Sequence, residues 1–191
     1  MRLGYMGFLF LLLSANAFSE SSGVTFKAYA KAAAVSVSDP DGDVGSASVV
    51  SPGIEMIMEK GRDGRLVFGF SAVSLGVDAS ENEINQDISG YSLYTGYQKR
   101  MSFTRDFKVW FGAALAYSNY EFSDRYSIDG DGFLLDSFED RSVSSPSLTL
   151  SADKYFNLSE SYALGFGVFA DMSSGDSLNM YGLKISIGNR N

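Results

Sequence analysis

The sequence predicts an all-β fold: an eight-stranded antiparallel up-and-down transmembrane β-barrel. Three observations carry the prediction. Apolar residues recur at every second position over long stretches, with no helical periodicity competing. Long polar links alternate with short turns between those stretches along the whole chain. The apolar run at the N-terminus is shorter than the roughly 20 residues a spanning helix needs, and no later stretch could make one.

The 191 residues are enough for one domain. They open with a basic Arg2, an apolar core from Tyr5 to Leu13 and a small-x-small site at Ala15-Asn16-Ala17. This is the pattern of a cleaved secretory signal peptide over residues 1–19, leaving a β-barrel domain over 20–191. Strands are expected at about 24–37, 53–60, 65–78, 90–99, 107–121, 143–154, 161–172 and 179–188.

The first strand puts Lys27 and Lys31 on one face, and the second does the same with Glu55 and Glu59. In the third, Leu66, Phe68, Phe70 and Ala72 oppose Arg65, Gly69 and Ser71. In the fourth, Tyr91, Leu93 and Tyr97 oppose Gly90, Ser92, Gly96 and Gln98. The fifth sets Phe107, Val109, Phe111, Ala113, Leu115 and Tyr117 against Lys108, Trp110, Gly112, Ala114, Ala116 and Ser118. The sixth carries Asp153 on its small face. The seventh opposes Tyr162, Leu164, Phe166, Val168 and Met172 to Ala163, Gly165, Gly167 and Asp171. The eighth opposes Tyr181, Leu183, Ile185 and Ile187 to Gly182, Lys184, Ser186 and Gly188. Long links fall at 38–52, 79–89 and 122–142, with a shorter one at 173–178. Tight turns fall near Gly61 to Gly64, Arg100 to Asp106 and Asn157 to Glu160.

A soluble barrel would point the bulky face inward and the other face to water. The second face is too poor in charge to make a solvent coat, and its Gly, Ala and Ser suit the crowded inside of a narrow barrel. Aromatic residues gather at the ends of the apolar rows, as in the two interfacial girdles of a membrane barrel. Strands of this length cross a bilayer, which takes roughly 9–11 tilted residues.

This pattern resembles the small outer-membrane barrels of Gram-negative bacteria, the group that includes the OmpA transmembrane domain, OmpX and the opacity proteins. The last strand, Met180-Tyr181-Gly182-Leu183-Lys184-Ile185-Ser186-Ile187, is similar to the C-terminal signal that the barrel-assembly machinery reads. It lacks the terminal aromatic, since Ile187 is followed by Gly188-Asn189-Arg190-Asn191. The resemblance implies residence in the outer membrane, with outer-membrane lipid, lipopolysaccharide and the assembly machinery as partners.

Composition narrows the function. The absence of Cys and His excludes a disulfide framework, a thiolate metal site and the commonest general base. No cofactor and no catalytic residue is expected. A formal charge of −8 argues against nucleic acid as a partner. The long links hold thirteen acids and two bases, Arg125 and Arg141, whereas the turn rim is basic. Asp39, Asp41 and Asp43, and the shorter Asp129-Gly130-Asp131, are weak candidates for a metal. The first segment has acids at alternate positions, as a calcium loop does, but Val44 and Val50 stand where Gly and Glu belong.

The nine charges on the small faces form the main candidate site: Lys27, Lys31, Glu55, Glu59, Arg65, Lys108, Asp153, Asp171 and Lys184. They are expected inside the barrel as an ion-pair network, with Glu59 beside Lys27 and Arg65, and Lys108 beside Asp153. Such a network satisfies a polar interior, because buried charges are costly unless paired. Two functions compete: a structural anchor or surface-interaction protein acting through acidic outer loops, and a narrow porin-like channel. Tyr126, Ile128, Phe133, Leu134, Leu135 and Phe138 serve either as an exposed binding edge or as a hairpin that extends two strands.

Overall fold

The computed structural model describes residues 23–78, 80–104 and 107–189. The leader with its cleavage site, and Arg105 and Asp106 of the basic turn rim, lie outside the described residues. The strands are β1 (Val24–Val37), β2 (Ala47–Glu59), β3 (Gly64–Val77), β4 (Ile84–Ser102), β5 (Lys108–Ile128), β6 (Leu134–Ser137), β7 (Arg141–Asn157), β8 (Tyr162–Ser173) and β9 (Leu178–Asn189). Eight of them close a ring in the order β1-β2-β3-β4-β5-β7-β8-β9, with β9 returning to β1 and every neighbour antiparallel. The all-β, eight-staved barrel expected from the sequence is the observed fold.

The strands are longer than expected at the loop end. β2 starts at Ala47, β4 at Ile84, and β5 runs on to Ile128, where the short ninth strand β6 folds back on it. The long links are therefore partly sheet. Two prolines lie inside strands, where a missing N–H must remove a ladder bond. The β2–β3 ladder stops at Gly53↔Ser71, one residue short of Pro52. There Ser51 Oγ donates to the Ala72 carbonyl at 2.6 Å. The β7–β8 ladder likewise stops at Ser147, next to Pro146.

Facing follows the pleat. Over the turn-side part of the barrel Phe68, Phe70, Leu93, Phe111, Leu115, Phe166, Leu183 and Ile185 stand outward and exposed. Inside are Lys27, Lys31, Glu55, Arg65, Asp153 and Lys184, all buried. Towards the loop end the polarity inverts. Outward positions become Ser89, Asp87, Asn119, Glu121, Ser142 and Ser144. Inward positions become Val35, Val49, Val73, Val77, Ile88, Tyr120, Phe122, Leu178 and Met180, which form one buried apolar cluster. The expectation of a small inner face throughout holds only for the turn-side part.

Inward rings fit because the facing residues are glycines. A Cβ on Gly69 would sit 2.1 Å from Tyr94 Cζ, and one on Gly53 2.2 Å from Tyr29 Cζ. Gly69→Ala would have to displace Tyr94, whose hydroxyl donates to Glu55 at 2.7 Å. The expected loss is about 1–3 kcal/mol, the usual penalty of overpacking, read as a lower urea midpoint. Gly61, at a positive φ with open space around it, should lose stability by backbone strain alone when changed to Ala.

Candidate functional site

At mid-barrel Lys184 of β9 reaches two acids from different strands. Its Nζ lies 3.1 Å from Glu55 Oε1 on β2 and 3.1 Å from Asp153 on β7. Gln98 on β4 donates from Nε2 to Asp153 Oδ2 at 3.0 Å and to Ser151 Oγ at 3.2 Å. Lys31, the register partner of Lys184 on β1, turns to Asp171 at 2.6 Å. The space left among these side chains is about 20 Å³, which holds about one water. A barrel of this size leaves little more.

At the turn end the cations rest on rings. Lys27 Nζ is 3.4 Å from the centroid of Tyr155. The Arg65 guanidinium stacks on Trp110 at 4.0 Å and on Tyr155 at 4.8 Å, while Nε donates to Gln98 at 2.7 Å and Nη2 to the Tyr155 hydroxyl at 3.0 Å. Arg100 flanks the other side of Trp110 at 5.6 Å and pairs with Asp63 at 2.7 Å.

The nine expected charges therefore divide. Lys184, Glu55, Asp153, Lys31 and Asp171 meet in ion pairs within the lumen. Lys27 and Arg65 are buried beside them on aromatic partners. The pairs expected for Glu59 and Lys108 do not form among the described residues. Glu59 faces Arg65 across the ladder but lies exposed at the rim, and Arg65 is bonded elsewhere. Lys108 is exposed opposite Ser102, and Trp110 takes the place beside Asp153. Alternation fixes which face a residue shares but not its depth, and the stagger of a barrel shifts depth from strand to strand.

Beyond the ion pairs the apolar cluster closes the lumen. Phe169, Tyr120 and Phe122 pack across it against valines of β1, β2 and β3. Phe169 also lies under Lys31, whose Nζ is 4.5 Å from the ring centroid.

Above the plug the loops are tied by arginine. Arg125 of β5 pairs with Asp39 at 2.8 Å and Asp41 at 2.6 Å, and donates to the Glu139 carbonyl and to Gln86 Oε1. Arg141 pairs with the same Asp39 at 3.1 Å and donates to the Ser38 carbonyl. The Asp39 side chain is fully buried. The first link, β5 and the β6–β7 corner thus share one centre. Asp39 and Asp41, the calcium-like pair of the first link, are bonded to guanidinium groups here. Asp43 stays exposed with its carbonyl bonded to the Ile84 amide. Asp129 closes its own turn by accepting from the amides of Asp131 and Phe133. Among the described residues no group of acids is arranged to hold a metal ion.

Sequence reasoning had not singled out Arg125 and Arg141. The signal available was that they are the two bases among thirteen acids of the long links. The apolar residues of the third link form the β5–β6 hairpin, yet Phe133, Leu134 and Leu135 remain exposed at its tip. A cleft of about 460 Å³ is lined by Tyr126, Leu134 and Phe138 together with Asp124, Arg125 and Asp140.

No protein-family model and no curated protein matches the chain. Solved structures do resemble it. Neisserial surface protein A superposes with a TM-score of 0.61 at 15% identity, over 89% of this chain and 98% of that one. Ail, the attachment invasion locus protein of Yersinia pestis, gives 0.56 at 16% identity, over 89% and 99%. Ail has also been solved with the heparin analogue sucrose octasulfate, with a TM-score of 0.51 to this chain at 15% identity. The fold of this chain is that of the small eight-stranded outer-membrane β-barrels.

Proposed function

We propose that this protein is an integral outer-membrane barrel, without catalytic activity, that serves as an anchor for an interaction surface built from its loops. The inversion of polarity along the strands carries the reading. On the turn side, rows of exposed apolar residues surround a charged lumen, an arrangement that only a lipid solvent favours. On the loop side, a polar outer wall surrounds an apolar core, an arrangement that water favours. One barrel therefore spans two solvents, and the loop side projects into the aqueous one.

The channel reading loses support from the same geometry. The ion pairs leave about 20 Å³, and the apolar plug follows directly above them. What stands clear for contact is the β5–β6 hairpin, with an unpaired outer edge on β6 and apolar side chains among acids. Such a rim repels polyanions. The partner it fits is a basic or apolar protein surface, in contrast to the sulfated ligand found with Ail.

Membrane fractionation combined with heat-modifiable gel mobility tests the placement. The expected result is outer-membrane recovery and faster migration of the unheated protein. In planar bilayers the protein should be electrically silent. Steady conductance that changes with Lys184→Met would instead revive the channel.

A further inference from the structure

The lumen charges do not balance. Apart from Arg125 among the loops, four buried cations of the described residues, Lys27, Lys31, Arg65 and Lys184, share the lumen with three buried acids, Glu55, Asp153 and Asp171. The acids are all bonded at mid-barrel, to Lys184 and Lys31. Lys27 and Arg65 make their close contacts at the turn end with rings, and Glu55, which faces Lys27 across the β1–β2 ladder, is bonded to Lys184 instead. A buried cation that has to share its counter-charge is expensive, and a ring face returns only part of that cost. These two cations line an open hollow of about 370 Å³ at the turn-side mouth. Arg100 adds a third charge to its wall, and Glu59 is the acid there among the described residues. Thr25, Asn157 and Asn189 add polar groups that can donate hydrogen bonds.

We propose that the turn-side mouth of the barrel is a binding site for a small oxyanion, a carboxylate or phosphate group, held between Lys27 and Arg65 against the rings of Tyr155 and Trp110. Three cations already lie in sequence along those two rings, Lys27–Tyr155–Arg65–Trp110–Arg100, so the positive ends are fixed before any ligand arrives. Preorganised donors bind an anion without a further ordering cost. Arg65 is oriented by Gln98 and by the Tyr155 hydroxyl, which leaves Nη1 free of a protein acceptor among the described residues.

Trp110 is the single tryptophan of the chain and stands 4.0 Å from Arg65, so its fluorescence reports on the site directly. The experiment titrates the folded protein in a non-ionic maltoside detergent with sodium phosphate, against sodium chloride at equal ionic strength. Phosphate should give a saturable change in Trp110 emission and chloride only a small, unsaturating one. Lys27→Met should weaken the phosphate response at least tenfold. Glu59→Gln, which removes the acid of the wall and lies exposed at the rim, should tighten it. A chloride response equal to that of phosphate, or wild-type affinity in Lys27→Met, would overturn the site. Should Lys27→Met fail to fold, unchanged affinity in Glu59→Gln overturns it. Nanodiscs separate the sources of the group. A Trp110 shift in phosphatidylglycerol but not phosphatidylcholine, with no phosphate added, assigns a lipid headgroup. Saturation by phosphate in phosphatidylcholine assigns a soluble anion.

Discussion

Replacing Lys184 by Met is expected to destabilise the barrel by about 3–5 kcal/mol, the range for removing one partner of a buried ion pair. The amine serves two acids at once, Glu55 and Asp153, both of which are buried. After the change Glu55 keeps the Tyr94 hydroxyl and Asp153 keeps Gln98, but neither keeps a partner charge from β9. Urea unfolding in one fixed detergent would show a lowered midpoint with the slope unchanged. The triple variant Lys184→Met, Glu55→Gln, Asp153→Asn should recover much of the loss, because neutral groups of the same shape leave no bare charge. Lys31→Met strands Asp171 alone and should lose less. A Lys184→Met midpoint equal to wild type would show that the mid-barrel pairs contribute nothing to stability.

Arg125→Met should have a large effect that stays local. It leaves the fully buried Asp39 with Arg141 as its one remaining cation and frees Asp41, and it cuts the bonds to Gln86 and the Glu139 carbonyl. About 1.5–3 kcal/mol of coupling between the first link and the β5–β6 hairpin would go, the range for losing hydrogen bonds to a charged group while Arg141 still holds Asp39. The barrel beneath does not depend on those bonds, so heat-modifiable mobility should persist. Limited proteolysis should now cut within residues 38–46 and 129–140. Asp39→Asn should be milder, because Arg125 retains Asp41, Gln86 and the Glu139 carbonyl. Equal protease resistance in wild type and Arg125→Met would mean that the loops are held by something else.

The barrel was legible because the pleat writes burial into every second residue. The stretch Phe107 to Tyr117 shows how: apolar residues at every odd position, with Gly112, Ala114 and Ala116 between the later ones. The same stretch also held the feature that was missed. From Tyr120 and Phe122 the bulky residues move to even positions, and a change of phase is easily taken for the end of a strand. β5 instead continues to Ile128, its inner face apolar at Tyr120 and Phe122 before a register shift turns Arg125 and Ser127 inward. The lumen charges were legible by face for the same reason. Their partners were not, since Glu59 and Lys108 share that face but lie at the rim. Arg125 was hidden differently: its partner Asp39 is 86 residues away in sequence, and neither residue belongs to a periodic pattern.

The change of phase acts as a waterline. Moving the barrel up or down by a pair of residues would drown Asn119 and Ser144 in hydrocarbon or strand Tyr117 and Leu148 in water. Vertical position is thereby keyed, and the tip of β5 rises a set distance above it. The ten residues of tilted strand from Asn119 to Ile128 span roughly 20 Å. A partner of the proposed kind would have to come down to that altitude, or be tall enough to meet it, before Phe133 and Leu134 could touch it.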